Sequence, residues 1–214
     1  MSMFIDAPKT LGSKDECATR IDMLSQSHVL SLVRLVEKIR LTKGHEFEIP
    51  YFDPLDGGSH AEVLFLLEAP GRKAIATGFV SRNNPDETAK NFFELNAEAG
   101  IDRLRTVIWN AVPWYIGSGN RIRPANRNDV LDAYEWLSEL LTLLHKIRFV
   151  VLVGKKALHA QSLIRDLRPN LEIMTMPHPS PLYVNRAPGN RQIALESLTL
   201  LAARMAARFQ NFDE

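Results

Sequence analysis

Four short runs of the chain are almost continuously apolar: 63–67, 106–112, 148–153 and 171–176. They do not alternate apolar with polar positions, so each reads as a strand buried on both faces rather than on one. The segments between them carry helical spacing instead. Residues 21–41 place Val29, Leu32, Val33, Val36 and Ile39 on one stripe. Asn84-Pro85-Asp86-Glu87 reads as a helix start, with Asn as the cap, Pro at the first position and Glu at the third, and Gly100 ends that helix. Residues 128–146 present Leu137, Leu140, Leu141 and Leu144, Gly154 opens a further helix to about 167, and a last one covers 191–209. Strands of this kind separated by helices predict a three-layer α/β/α sandwich around a four-stranded, mainly parallel sheet. A single domain over 1–214 is expected, with the N-terminal residues up to about position 20 flexible.

A parallel sheet brings all its strand C-termini to one edge, where a crevice forms. Three predicted strands end there in turn-forming segments. These are Glu68-Ala69-Pro70-Gly71, Asn110-Ala111-Val112-Pro113 and His178-Pro179-Ser180-Pro181. The last fixes a histidine between a strand end and a rigid turn, which holds its ring against whatever meets it at that edge.

Composition narrows the chemistry. The 214 residues, 45% hydrophobic, suffice for one full core. No apolar stretch approaches a membrane span and the N-terminus lacks a basic-then-apolar signal, so a cytoplasmic protein, nucleoid-associated if it works on DNA, is expected. Cys17 is the only cysteine, which excludes an intrachain disulfide or a thiolate-held cluster. The net charge of +1 argues against a protein that coats nucleic acid. Its distribution is more telling, because 114–127 holds Arg121, Arg123 and Arg127 with no acid, 177–191 holds Arg186 and Arg191 with none, and Lys155 and Lys156 follow Gly154. Three basic, acid-poor segments on one predicted edge point to a phosphate-backbone footprint.

The order and wording of the three strand-end motifs resemble the uracil-DNA glycosylase superfamily. That family carries a Gly-Gln-Asp-Pro or Gly-Glu-Ala-Pro-Gly segment after its first strand, an Asn after its second, and a His-Pro-Ser-Pro-Leu loop after its last, with an Arg four residues beyond the Leu. Leu182 and Arg186 match the latter pair, and the matches run from Glu68 to Arg191. The resemblance implies a DNA glycosylase that hydrolyses the N-glycosidic bond of uracil or another deaminated base. It implies DNA as partner, a monomer, and neither metal nor cofactor. Branches with the Glu-Ala-Pro-Gly wording usually hold a four-cysteine iron-sulfur cluster, which this chain cannot.

On that resemblance each residue acquires a task. Asn110 would accept from uracil N3–H and donate to O4, a pattern that cytosine reverses; its ordinary alternative is to tie a turn. His178 would donate to O2 as negative charge develops on the leaving base. Phe79 falls where the family stacks an aromatic on the flipped base, with Phe92 and Phe93 assigned to the core. The best-studied branch has an Asp at the Ala69 position; Glu68 either positions water in its place or braces the loop. Ala69, Pro70 and Gly71 would line the base, and Gly71 leaves open the space that the strictest uracil enzymes fill with Tyr. Ser180 and Pro181 would frame the turn that presents Leu182 as a wedge beside Tyr183. Arg186, Arg191, Lys155 and the backbone of Gly154 would meet phosphates. Two rivals remain: a catalytically silent member that binds uracil or single-stranded DNA, supported by the missing Asp, and a nucleotide or phosphate-ester hydrolase using the loop 70–73.

Overall fold

In the computed structural model, which describes residues 6–118 and 121–207, the four predicted strands form one parallel sheet. In chain order the strands are β1 (Tyr51–Phe52), β2 (Val63–Leu67), β3 (Phe79–Val80), β4 (Thr106–Asn110), β5 (Gly117–Ser118), β6 (Arg121–Ile122), β7 (Phe149–Val153) and β8 (Glu172–Met176). The central sheet runs β4-β2-β7-β8, and β1 with β3 makes a short parallel pair beside it. The helices are α1 (Lys14–Asp22), α2 (Ser27–Lys43), α3 (Arg72–Thr77), α4 (Glu87–Glu98), α5 (Arg127–Asp132), α6 (Tyr134–Leu143), α7 (Gln161–Leu167), α8 (Pro181–Val184) and α9 (Asn190–Ala207).

β4 and β7 are buried at every position and β2 at all but its last, as continuous apolar strands between two helical layers must be. α2 packs with α6, and α4 with α9. Val29, Leu32, Val33, Val36 and Ile39 of α2 are all buried, and so are Leu137, Leu140, Leu141 and Leu144. The parallel register sets Leu67 of β2 opposite Asn110 of β4 and Val153 of β7 opposite Met176 of β8. All four C-terminal ends therefore share one edge.

Several helix boundaries differ from the sequence expectation. The cap of α4 is Asp86, whose carboxylate accepts from the Ala89 N–H at 2.9 Å, whereas Asn84 is buried and donates to the Phe79 carbonyl at 2.9 Å. The helix expected over 128–146 is two, because a capping box of Asn126 with Asp129 starts α5 and the chain turns at Ala133. Gly154 opens no helix; it sits at φ +82°, and a 3-10 turn at Ala157–Ala160 precedes α7. The expected last residues of α9, 208 and 209, and the side chain of Arg121 lie outside the described residues.

The described part of the segment expected to be flexible, from residue 6 to about 20, is docked by an ion network. Arg20 of α1 is completely buried and meets Asp53 at 3.3 Å, while Arg103 reaches Asp53 at 2.7 Å and Asp56 at 2.8 Å. Burial pushes the Asp53 carboxyl up, yet Arg103 and Arg20 hold it below its ordinary value. Each charge is buried at a desolvation cost that only its partners offset, so the pieces of chain that carry them are held together.

Candidate active site

The strand-end edge opens into a cavity of about 470 Å3, within the ordinary range for a small-molecule site. Glu68, Ala69, Pro70 and Gly71 from the end of β2, Asn110 from the end of β4, and His178 with Pro179 after β8 all line it. Three motifs spread over more than a hundred residues thus meet in one chamber. Its inner wall adds Val80, Ser81, Arg82 and Asn84 from beyond β3, Asp86 and Phe92 from α4, and Ile108 of β4.

Backbone pairing past the last strand residues sets the geometry. The N–H groups of Ala111 and Val112 donate to the carbonyls of Leu67 and Glu68 at 2.8 and 3.0 Å, locking Asn110 beside the β2 loop. On the far side, the Gly154 N–H donates to the Met176 carbonyl at 2.9 Å. A Cβ on Gly154 would lie 3.0 Å from the Cβ of His178 and 3.3 Å from its Cδ2. His178 follows an edge strand, and it reaches the cavity by lying across the bare end of β7. Only glycine combines that positive φ with that clearance. Gly154 therefore serves as the floor beneath the histidine, and no α-helix begins at it for a phosphate to approach. From α4, the Asn91 amide donates to the Pro179 carbonyl at 2.9 Å and clamps the turn from the other side.

Asn110 is 3% exposed, and its Nδ2 has no hydrogen-bond partner among the described residues. An amide that tied a turn would spend that donor on a carbonyl. Leaving it buried and unpaired costs about 1–3 kcal/mol, and Asn110 carries that cost in the cavity wall. His178 likewise makes no hydrogen bond among the described residues, and its burial pushes the imidazole below its ordinary value of 6.5, against the pull of Glu68 and Asp86. The lowered value favours the uncharged ring at neutral pH. Glu68 takes the bracing role at one of its oxygens, since the Ala125 N–H donates to Oε1 and ties the loop after β6 to the end of β2.

Phe79 stands elsewhere. It is fully buried, its ring 6.4 Å from that of Tyr51, and it is absent from the cavity wall, where Phe92 provides the aromatic surface. At Gly71 an added Cβ would meet nothing within 4 Å, so the space that a larger residue would fill is open. Leu182 projects from α8 with 84% exposure, on a turn started by Ser180 with Pro181 at the first helical position. Tyr183 is half-buried, and its carbonyl accepts from the Asn190 amide at 2.7 Å. Arg186 and Lys155 are exposed and make no ion pair among the described residues, whereas Arg191 pairs with Glu98 and Arg123 with Asp129, each at 2.5 Å. Sequence reasoning did not single out Asp86, Asn91 or Phe92 for the site. Asp86 had been readable as a cap, but its neighbour Asn84 offered the same chemistry.

Among the described residues no group of three or more His, Cys, Asp or Glu side chains is placed to hold a metal ion, and no helix is long and apolar enough to cross a membrane. The family model of the Uracil DNA glycosylase superfamily matches residues 54–199, which contain every cavity residue named above. Among solved structures, wild-type SMUG2 of Pedobacter heparinus superposes with a TM-score of 0.52 at 14% identity, with 86% of each chain covered. A solution NMR structure from Methanosarcina acetivorans, provisionally assigned as a uracil DNA glycosylase, gives 0.48 at 17% identity, covering 67% of this chain and 92% of that one. No curated protein matches the chain.

Proposed function

Because the chain belongs to the uracil-DNA glycosylase superfamily, we propose that it hydrolyses the N-glycosidic bond of uracil, or of a closely related deaminated base, in DNA. The observation that carries this reading is the unpaired, buried amide of Asn110 in the cavity wall. A base must leave the stack to be excised, and the pocket that receives it must replace its pairing edge. Asn110 offers an acceptor for N3–H and a donor for O4. His178, uncharged and lining the same cavity, supports charge building on O2 as the bond breaks. Phe92, Val80 and Ile108 give the apolar surface against which a planar ring rests.

The test is an excision assay with the purified protein and labelled oligonucleotides carrying uracil, hypoxanthine, xanthine, a thymine mismatch or plain cytosine, followed by cleavage of abasic sites. Uracil, alone or with other deaminated bases, should be released and cytosine kept. Tight binding of uracil-containing DNA without release of any base would favour the silent member of the fold. Chelator should leave the rate intact under the present reading; loss on chelation, restored by a divalent ion, favours a hydrolase of phosphate esters.

Leu182 and Arg186 carry separable parts of DNA engagement in this proposal. Extruding a base costs a few kcal/mol in a duplex, least at a mismatch and little in a single strand. Leu182→Ala should therefore lose most activity on a paired uracil, less on a G·U mismatch and least on single-stranded DNA. Arg186→Ala should weaken all three alike and flatten the salt dependence by about one phosphate. Equal losses for Leu182→Ala on every substrate would remove it as the wedge.

A further inference from the structure

We propose that Asp86, held at the N-terminal cap of α4, is the carboxylate that orients the attacking water in this chain, an inference that rests on the glycosylase reading. A methyl group occupies the Ala69 position, so a carboxylate must come from elsewhere in the cavity wall if one takes part. Only Glu68 and Asp86 supply one among the wall residues. Asp53 and Asp56 are enclosed by Arg20, Arg82 and Arg103 and line no part of the cavity.

Each candidate has one oxygen on a backbone N–H and the other without a hydrogen bond among the described residues, so what separates them is how firmly each is placed. Glu68 hangs on the longer side chain, tethered through Oε1 to the Ala125 N–H of a different loop, and moving it off that bond would strand a part-buried donor. Asp86 also has one oxygen occupied, by the Ala89 N–H at 2.9 Å, but that bond is the helix cap itself, which fixes the carboxylate in place. Its other oxygen makes no hydrogen bond among the described residues. A carboxylate with one oxygen pinned and one available, in the wall shared with His178, suits the holding of a water molecule. The same helix clamps the histidine turn through Asn91, so both halves of the reaction are referred to one rigid element.

The step balances as follows. The water oxygen forms a bond to C1′ while the C1′–N bond breaks and its electron pair leaves on the base, beside the His178 N–H. The water proton passes to the Asp86 carboxylate and from there to solvent, and the departing base anion takes a proton from solvent.

Asp86→Asn is the decisive variant, because Asn caps a helix as well as Asp does and the fold at α4 should be kept. Single-turnover excision should fall about a hundredfold or more, the scale of a lost general base, with DNA affinity and Tm close to the parent. Asp86→Ser, also a cap, should lose as much. The acid limb of the rate profile should move to lower pH in both, since Asp86 helps to hold the His178 imidazole up. A rate for Asp86→Asn within threefold of the parent overturns the proposal, as does a loss matched by equal losses in affinity and Tm. Glu68→Gln, which keeps an acceptor for Ala125, should cost clearly less than Asp86→Asn, and the reverse order returns the role to Glu68. A parent protein that releases no base from any oligonucleotide sinks the glycosylase reading itself, an outcome distinct from an active parent with an equally active Asp86→Asn.

Discussion

His178→Ala should slow single-turnover base release by about two to three orders of magnitude while leaving DNA affinity nearly unchanged. The reasoning is that of an oxyanion donor. The imidazole N–H gains most when the base carries negative charge, so its removal raises the barrier by about 2.7–4 kcal/mol without weakening the ground state by a comparable amount. Burial holds the ring below its ordinary value of 6.5 despite Glu68 and Asp86 nearby, so the uncharged form is present throughout the neutral range. The sign of the pH dependence follows. With neutral imidazole as the working form, the rate is level at neutral pH and falls as the pH drops through the lowered value, giving an acid limb centred below 6.5. A rate that rises on acidification would mean that imidazolium is the donor, and a His178→Ala variant as fast as the parent would remove the residue from the chemistry.

Asn110→Asp should lower uracil excision about a hundredfold or more. It removes the Nδ2 donor and sets a second acceptor against O4, and one well-placed pair of edge bonds is worth about 1–3 kcal/mol before repulsion is counted. Any activity gained should be toward cytosine, whose amino group the new carboxylate can accept. A companion measurement separates recognition from architecture. If the amide tied a turn, Asn110→Ala would destabilise the fold by about 1 kcal/mol, whereas removal of an orphaned buried amide should leave Tm unchanged or raise it. Normal uracil cleavage by Asn110→Asp, together with a lowered Tm for Asn110→Ala, would assign Asn110 to structure.

How much of this was readable beforehand depends on the range of the forces involved. β2, β4 and β7 are legible because a doubly buried parallel strand must be apolar at nearly every position, whereas β8, expected to be buried on both faces, lies at the sheet edge with Thr175 exposed and Glu172 and Ile173 half-buried; the three site motifs are legible because strand polarity sends them to one edge. Choices between near-equivalent neighbours are not. Asn84 and Asp86 both cap helices well, and the decision fell to Asp86 once the buried amide of Asn84 was spent on Phe79 and Thr77. Phe79 and Phe92 are both aromatic and near the site, and only the packing of Phe79 against Tyr51 shows which ring the cavity wall contains. The ion network was beyond reach for another reason. Arg20, Asp53, Arg82 and Arg103 are scattered over more than eighty positions, and nothing local distinguishes a buried arginine from an exposed one before its partners are known. That is why the N-terminal segment reads as loose in the sequence, whereas its described part, from residue 6 on, is docked.

The steric seat that Gly154 gives to His178 also decides what remains undecided in the ring. Histidines at catalytic centres commonly have one nitrogen committed to a carbonyl or carboxylate, and that bond selects the tautomer in advance. His178 is held by shape, through the bare glycine below and the clamped proline beside it, and neither ring nitrogen is committed to a described protein group. No hydrogen bond from a described group thus fixes the tautomer in advance. Under the proposed glycosylase reading, the edge that a base presents would then set which nitrogen carries the proton, so the ligand itself would complete the donor it needs.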